Sequence, residues 1–284
     1  MFKPRAEELD PSATDTPEDS LGDGSTLLAC LRVANLTLAL LCGILLATLA
    51  CVLSLITRKP LPVRGFLTQI FMKSLSAALP LRIRVVGQVP DQPMLWVANH
   101  TSWTDIPLLG RLAPLSFLSK AEVADWPLAG WLAKQGATLF IQRGAGQSED
   151  LAPQMRGRLM QGRSVALFPE GTSSDGRQLL PFHGRLLSAL TDTHFALQPV
   201  AISYLRNGEP CPLAPFVGDD DLLHHLWRLF KQPAIDAVVE LLPPIASDGR
   251  NRSLLARLAR EAIADARGLE LPTKKGDSDK KTAE

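Results

Sequence analysis

Asn99-His100-Thr101-Ser102-Trp103-Thr104-Asp105 places an imidazole and a carboxylate five residues apart on one short stretch. Histidine changes charge near neutral pH, and a carboxylate that binds one imidazole nitrogen leaves the other free to take a proton. Ser102 followed three residues later by Asp105 reads as a capping box with Asp in place of Glu or Gln, which starts a helix near Trp103. Asp105 then lies in the first helical turn, where the helix dipole favours a carboxylate. His100 lies on the loop feeding that helix and can fold back within reach of it. The chemistry this offers is proton abstraction, with no Ser or Cys beside it in a nucleophile elbow. A lone His at a strand end and a lone Asp in a first turn are otherwise ordinary structural residues, so the pair needs a second signal.

That signal lies downstream in Phe168-Pro169-Glu170-Gly171-Thr172-Ser173. Each loop follows an apolar, strand-like run: Met94-Leu95-Trp96-Val97-Ala98 before the first, Ser164-Val165-Ala166-Leu167 before the second. Polar loops at the ends of strands are where an α/β fold places its chemistry. Phe140-Ile141-Gln142-Arg143-Gly144 adds an Arg at another strand end, suited to an anionic group. Lys120, His183 and Arg185 lie near such ends too and read equally well as solvated surface residues. His100, Asp105 and Glu170 do not have the spacing of a known zinc pattern, so no metal and no other cofactor is expected.

The elements that must position these loops form an alternating series. Strand-like runs cover 81–86, 94–97, 115–118, 137–141, 165–168, 197–203 and 237–242, with helical candidates near 103–112, 121–134, 149–161, 185–194 and 220–231. This alternation predicts an α/β fold with a mostly parallel central sheet flanked by helices. Residues 1–26 are rich in Pro, Ser, Asp and Glu and read as a disordered tail rather than a signal peptide. Residues 33–56 run without a charge, long enough for a helix embedded in a bilayer, whether it crosses or only enters. Arg58, Lys59, Arg64 and Lys73 follow it, which places that end on the cytoplasmic side of the inner membrane. The expected order is a tail at 1–26, a membrane helix at 27–57 and an amphipathic connecting helix at 58–80. A catalytic domain at 81–245, a C-terminal helix at 246–270 and a charged tail at 271–284 follow.

Composition agrees with a membrane-associated protein. Hydrophobic residues make up 46% of 284 positions, and the mean hydropathy of +0.08 is high for a soluble protein. The formal net charge of +1 removes any bulk electrostatic case for nucleic acid. The four cysteines have no metal-like spacing and read as small apolar residues.

Taken together, Asn-His-x-Ser-x-x-Asp at 99–105, Phe-Ile-x-Arg at 140–143, Phe-Pro-Glu-Gly-Thr at 168–172 and the Pro199-Val200 step resemble the four ordered blocks of the glycerolipid acyltransferases. That family includes bacterial lysophosphatidate acyltransferases and lyso-ornithine lipid acyltransferases, and the resemblance spans roughly residues 80–245. It implies transfer of an acyl group from an acyl carrier protein or coenzyme A thioester to a lysolipid hydroxyl, at a membrane and without an acyl-enzyme. His100 resembles the general base and Asp105 the carboxylate that orients it. Glu170, Gly171 and Thr172, with Ser173 beside them, resemble the acceptor-binding loop, and Arg143 resembles a head-group ligand. A thioester is already activated, so a His–Asp pair with good positioning suits the reaction.

Two positions depart from the pattern. Ser173 stands where lysophosphatidate enzymes often carry Arg, and His183 follows Phe182 where Lys is common. With two cations missing, Phe168 to Gly176 and Leu180-Pro181-Phe182 look closer to the lyso-ornithine lipid branch, whose head group carries an amine and a carboxylate; the commoner role that the resemblance implies, 1-acyl-sn-glycerol-3-phosphate to phosphatidic acid, stands as the first reading and lyso-ornithine lipid as the alternative. Asp175 could meet the amine, but a turn-forming Asp-Gly is the better reading of that pair, and Arg177 or Arg185 could restore a phosphate contact. A competing reading, from the His–Asp pair alone, is a lipid hydrolase that activates water.

Overall fold

A computed structural model describes residues 26–58, 63–141 and 151–271. The expected tails and Arg143 lie outside these described residues.

Eight strands form one sheet in the order β1-β8-β6-β2-β5-β3-β4, with β7 paired to β6. The strands are β1 (Leu81–Val86), β2 (Leu95–Ala98), β3 (Ser116–Lys120), β4 (Leu139–Ile141), β5 (Val165–Leu167), β6 (Leu197–Arg206), β7 (Glu209–Pro210) and β8 (Ile235–Leu241). The central pairs β6/β2, β2/β5, β5/β3 and β3/β4 are parallel. Both faces of these strands are covered, so β2 and β5 are buried at every position and read as continuous apolar runs. Strand β8 runs antiparallel to β6 and carries β1 in parallel beside it.

Strand side chains alternate between two faces, and this alternation divides the core. Trp96, Ala98, Ala166, Val200, Ile202 and Val239 point to one cluster. Leu95, Val97, Val165, Leu167 and Leu197 point to the other. The first face is covered by α1 (Thr26–Thr57), α2 (Arg64–Ala78), α3 (Asp105–Gly110) and α6 (Leu222–Lys231). The second is covered by α5 (Leu151–Met160), a 3-10 helix at Gly184–Leu190 and α7 (Arg252–Arg267).

Two expected helices are shorter or broken. The run at 121–134 divides into a 3-10 turn, Ala121–Asp125, and α4 (Ala129–Gln135). Pro127 disfavours the helical region for Trp126, which is extended at ψ 125. The run at 185–194 forms the 3-10 helix at Gly184–Leu190 and not an α-helix.

Helix α1 has 32 residues, about 48 Å at about 1.5 Å per residue, against a hydrocarbon core of roughly 30 Å. Of its buried positions, Ala29, Leu36, Gly43 and Ala50 recur every seven residues and form one stripe, with Ala39 beside it. Gly43 lies directly against the ring of Phe71 on α2, a close approach that a side chain would block. On the opposite side Leu27, Leu31, Leu38, Leu45, Leu49 and Ile56 are exposed. An apolar face of that extent suits contact with a membrane. Near its start, Arg32 donates to the backbone oxygens of Phe230 at 2.7 Å and Gln232 at 2.6 Å, satisfying carbonyls at the C-terminal end of α6.

Candidate active site

Strands β2, β5 and β6 end on one side of the sheet, and the loops that follow meet there. The first is tied down by Asn99, the residue after β2. Its side-chain amide donates to Ile202 O at 3.0 Å and accepts from Ile202 N at 2.8 Å, so it continues the β2/β6 ladder by one step. His100 is thereby held at the sheet edge, with its side chain 20% exposed.

Asp105 is fully buried and accepts four hydrogen bonds. Its Oδ2 takes the backbone N–H of Thr101 at 2.8 Å, that of Ser102 at 3.0 Å and His100 Nδ1 at 2.8 Å. Its Oδ1 takes the hydroxyl of Tyr204 at 2.6 Å. Tyr204 Oη in turn lies 2.6 Å from Thr104 Oγ1, which donates because the tyrosine proton is already committed to Asp105. Burial, and then the neighbouring Asp105 charge, push the Tyr204 hydroxyl well above its ordinary pKa, so it remains a donor throughout the working pH range. An ionised carboxylate only accepts, so Nδ1 of His100 carries a proton and Nε2 is left as the basic nitrogen. The Phe168 ring stacks on the imidazole at 4.0 Å between centroids and 14° between planes, fixing its orientation.

The expected cap is half formed. The Ser102 N–H reaches the Asp105 carboxylate, but the Ser102 hydroxyl has no partner among the described residues. The helix therefore starts at Asp105 and not near Trp103, and runs only to Gly110.

The second loop places Glu170 directly beneath His100. Glu170 is 4% exposed. Its Oε1 accepts the His100 N–H at 2.8 Å and its Oε2 the Leu180 N–H at 2.9 Å. Burial pushes its carboxyl above the ordinary glutamate range, opposed by these two backbone donors and by the charges of His100 and Arg267. Gly171 turns the chain with φ at +73°, a conformation open to glycine at little cost. Thr172 is exposed, while the Ser173 hydroxyl donates to Phe216 O. Ser174 N donates to His100 O at 2.9 Å, so His100 has both backbone groups bound to this loop. A third segment joins through Phe216 N, which donates to Thr101 O at 2.9 Å.

His100, Asp105, Glu170, Gly171, Thr172 and Ser173 thus come together as the sequence predicts, and Arg143 lies outside the described residues. Lys120, His183 and Arg185 are exposed. Tyr204, Arg267 and His225 were not singled out from the sequence. Buried His225 on α6 accepts from the Trp103 indole at 3.1 Å. Burial, then Arg228, lower its pKa, in keeping with a neutral ring that accepts at Nδ1. Tyr204 is the one tyrosine of the chain, but nothing in its β6 run points to Asp105.

The family model described as Acyltransferase matches residues 82–203. A lyso-ornithine lipid O-acyltransferase of Pseudomonas aeruginosa is 54% identical over 202 residues, covering 71% of this chain and 78% of that protein. The chain belongs to the acyltransferase family. A 1-acyl-sn-glycerol-3-phosphate acyltransferase of Neisseria gonorrhoeae is 31% identical over 197 residues, covering 67% of this chain and 76% of that one. The fold is shared with the crystal structure of a 1-acyl-sn-glycerophosphate acyltransferase from Thermotoga maritima. The TM-score is 0.57 at 20% identity, covering 85% of this chain and all of that one. This acyltransferase has its imidazole at the end of β2, and the elements matched by the family model are those that carry the His100, Glu170 and β6 segments.

Proposed function

We propose that this acyltransferase moves a fatty acyl group from an acyl thioester to the hydroxyl of a lysolipid, with lyso-ornithine lipid as its main acceptor. The observation that carries the reaction is the His100–Asp105 pair, with Nδ1 bound to a buried carboxylate and Nε2 left basic. His100 Nε2 takes the proton from the acceptor hydroxyl as its oxygen attacks the thioester carbonyl carbon. The tetrahedral intermediate then collapses, the carbon–sulfur bond breaks, and the thiolate leaves with the proton from the imidazolium. Asp105 stabilises the imidazolium between these steps, and Tyr204 and the two backbone N–H groups hold Asp105 in place.

The acceptor is argued from the loop at 170–173. Ser173 stands at a position of expected positive charge and its hydroxyl is turned to Phe216 O, which suits a head group less anionic than a phosphate monoester. The relative at 54% identity carries the corresponding name. A second reading, 1-acyl-sn-glycerol-3-phosphate to phosphatidic acid, is favoured by the Neisseria relative's name. Gly171, Thr172 and Ser173 line the acceptor side, with Glu170 shaping the loop from beneath, and Arg143 binds the anionic part of the head group. The donor is an acyl carrier protein or coenzyme A thioester. The catalytic domain lies on the cytoplasmic side of the inner membrane, as the Arg and Lys residues after α1 suggest. Because α1 is packed against the protein from Ala29 to Ala50, it is better suited to a helix embedded beside the domain than to a free-standing span.

The test is acyl transfer to lyso-ornithine lipid and lysophosphatidate in parallel, from carrier-protein and coenzyme A thioesters, with His100→Ala as control. Transfer to the ornithine lipid in wild type, lost in His100→Ala, supports the reading. Transfer to lysophosphatidate alone replaces the acceptor. Thioester hydrolysis without transfer replaces the reaction by that of a hydrolase.

A further inference from the structure

Helix α7 lies outside the stretch that the family model matches, yet it runs antiparallel to the active-site segment 176–184 and holds it along its length. At its start, the Arg252 backbone packs against Gly184. In its middle, Arg260 donates to Leu179 O at 2.6 Å and to Leu180 O at 3.0 Å. In its last turn, Arg267 Nη2 donates to Gly176 O at 2.6 Å. Leu180, whose carbonyl Arg260 holds, gives its N–H to Glu170, and the other Glu170 oxygen holds the His100 N–H. An unbroken series of contacts therefore leads from α7 through Glu170 to the catalytic imidazole.

Arg267 differs from Arg260 in what it faces. Burial lowers the pKa of its guanidinium, and the carboxylates of Glu170, Asp105 and Asp175 oppose this. Its Nε and Nη1 are buried and have no hydrogen-bond partner among the described residues, so the guanidinium is not explained by the Gly176 contact alone. It also reaches the base of the His100 loop. A Cβ on Gly176 would lie 3.3 Å from Arg267 Nη2 and 3.4 Å from Thr101 Oγ1, and Gly176 has φ at +74°. Glycine here lets the cation come up beside Thr101, next to His100.

We propose that Arg267 is a positioning residue for acyl transfer: its cation is the counter-charge that keeps the Glu170 carboxylate bound to the His100 backbone. This rests on the acyl-transfer reading for its kinetic consequence but not for the electrostatic one. The charged groups that act on Glu170 are His100 and Arg267, with Leu180 and His100 backbone N–H groups as its donors. Loss of the Arg267 charge leaves a buried carboxylate with less compensation, so Glu170 takes up a proton at higher pH and gives up one of its two N–H contacts.

The experiment compares Arg267→Met, Arg267→Lys and Arg260→Met. In Arg267→Met, kcat/KM falls roughly 10-fold to 100-fold, as expected of a misplaced general base. The acid limb of its pH profile moves up. Arg267→Lys restores the limb, and Arg260→Met, which removes the donors to Leu179 O and Leu180 O but no charge that acts on Glu170, lowers Tm and moves the limb less than Arg267→Met does. Infrared titration of the Glu170 carboxyl, assigned with Glu170→Gln, reads the same shift with no substrate present. Should Arg267→Met not fold, Arg267→Gln is measured in the same way. An unmoved limb together with an unmoved Glu170 titration in the uncharged variant overturns the proposal. A wild type inactive on both lysolipids overturns the acyl-transfer reading instead, and the infrared titration still decides on Arg267.

Discussion

The Tyr204 hydroxyl and the His100 imidazole bind opposite oxygens of one carboxylate, at 2.6 Å and 2.8 Å. Asp105 is thus held by β6, the strand beside β2, while it orients the proposed base at the end of β2. Tyr204→Phe removes a hydrogen bond to a charged group, worth about 1.5–3 kcal/mol. We expect kcat to fall roughly 10-fold to 100-fold in that variant, with the KM for lysolipid little changed. Steady-state kinetics with varied acceptor checks it, and a change confined to KM contradicts the role.

His100→Ala removes the base and leaves the Asn99 and Glu170 contacts to the backbone in place. The expected loss in kcat is roughly 10²-fold to 10⁴-fold, the usual share of general-base catalysis. Circular dichroism should report an unchanged fold. Retained turnover in the purified variant would falsify the assignment.

Asp105→Asn keeps an acceptor for the imidazole but removes the charge that stabilises the imidazolium. A fall in kcat of roughly 10²-fold or more is expected. Because Asn also disturbs the Tyr204 contact, Tm should drop as well. Thermal unfolding and single-turnover rates separate the two effects.

The pH dependence of stability should carry the mark of Glu170. Its carboxyl is raised in the folded state, mainly by burial, so the folded protein holds this proton to higher pH than the unfolded chain does. Stability from this group is therefore greatest below the ordinary glutamate pKa and is lost as pH rises through the raised value. Glu170→Gln has no such titration. The wild-type Tm, relative to that of Glu170→Gln, should be higher at acid pH and fall toward neutrality. A difference in Tm that does not vary with pH would contradict the shift.

Membrane contact should depend on the outward face of α1. Leu45→Glu together with Leu49→Glu places two charges on exposed positions without touching the Ala29–Leu36–Gly43–Ala50 stripe. Sedimentation with lipid vesicles is expected to be lost in this variant and retained in wild type. Persistence of vesicle binding would move the contact to another surface.

The strands were legible because buried parallel strands need unbroken apolar runs, and β2 and β5 supply them. The direction of β8 was not, since its alternating burial pattern is the same whether it pairs parallel or antiparallel to β6. His100 and Asp105 were legible from their spacing, because a turn and a helix start bring residues five apart together. Tyr204 and Arg267 were not, because they reach the site across 99 and 91 residues of chain to Asp105 and Gly176. Glu170 was found as a residue of the loop. That its carboxylate turns inward to two backbone donors depends on how the loops stack, which no local pattern encodes.

The grip of Arg32 on Phe230 O joins residues 198 positions apart. During synthesis the α1 stripe can close on α2 as soon as that helix is made, but the Arg32 guanidinium has nothing to close on until α6 has been made. The contact of α1 with α6 therefore waits until all but the last strand of the sheet has been made. A chain truncated before α6 leaves α1 with α2 and without a partner for Arg32. One shortened at the front leaves Phe230 and the last carbonyls of α6 uncovered, so solubility would not be gained by removing the anchor.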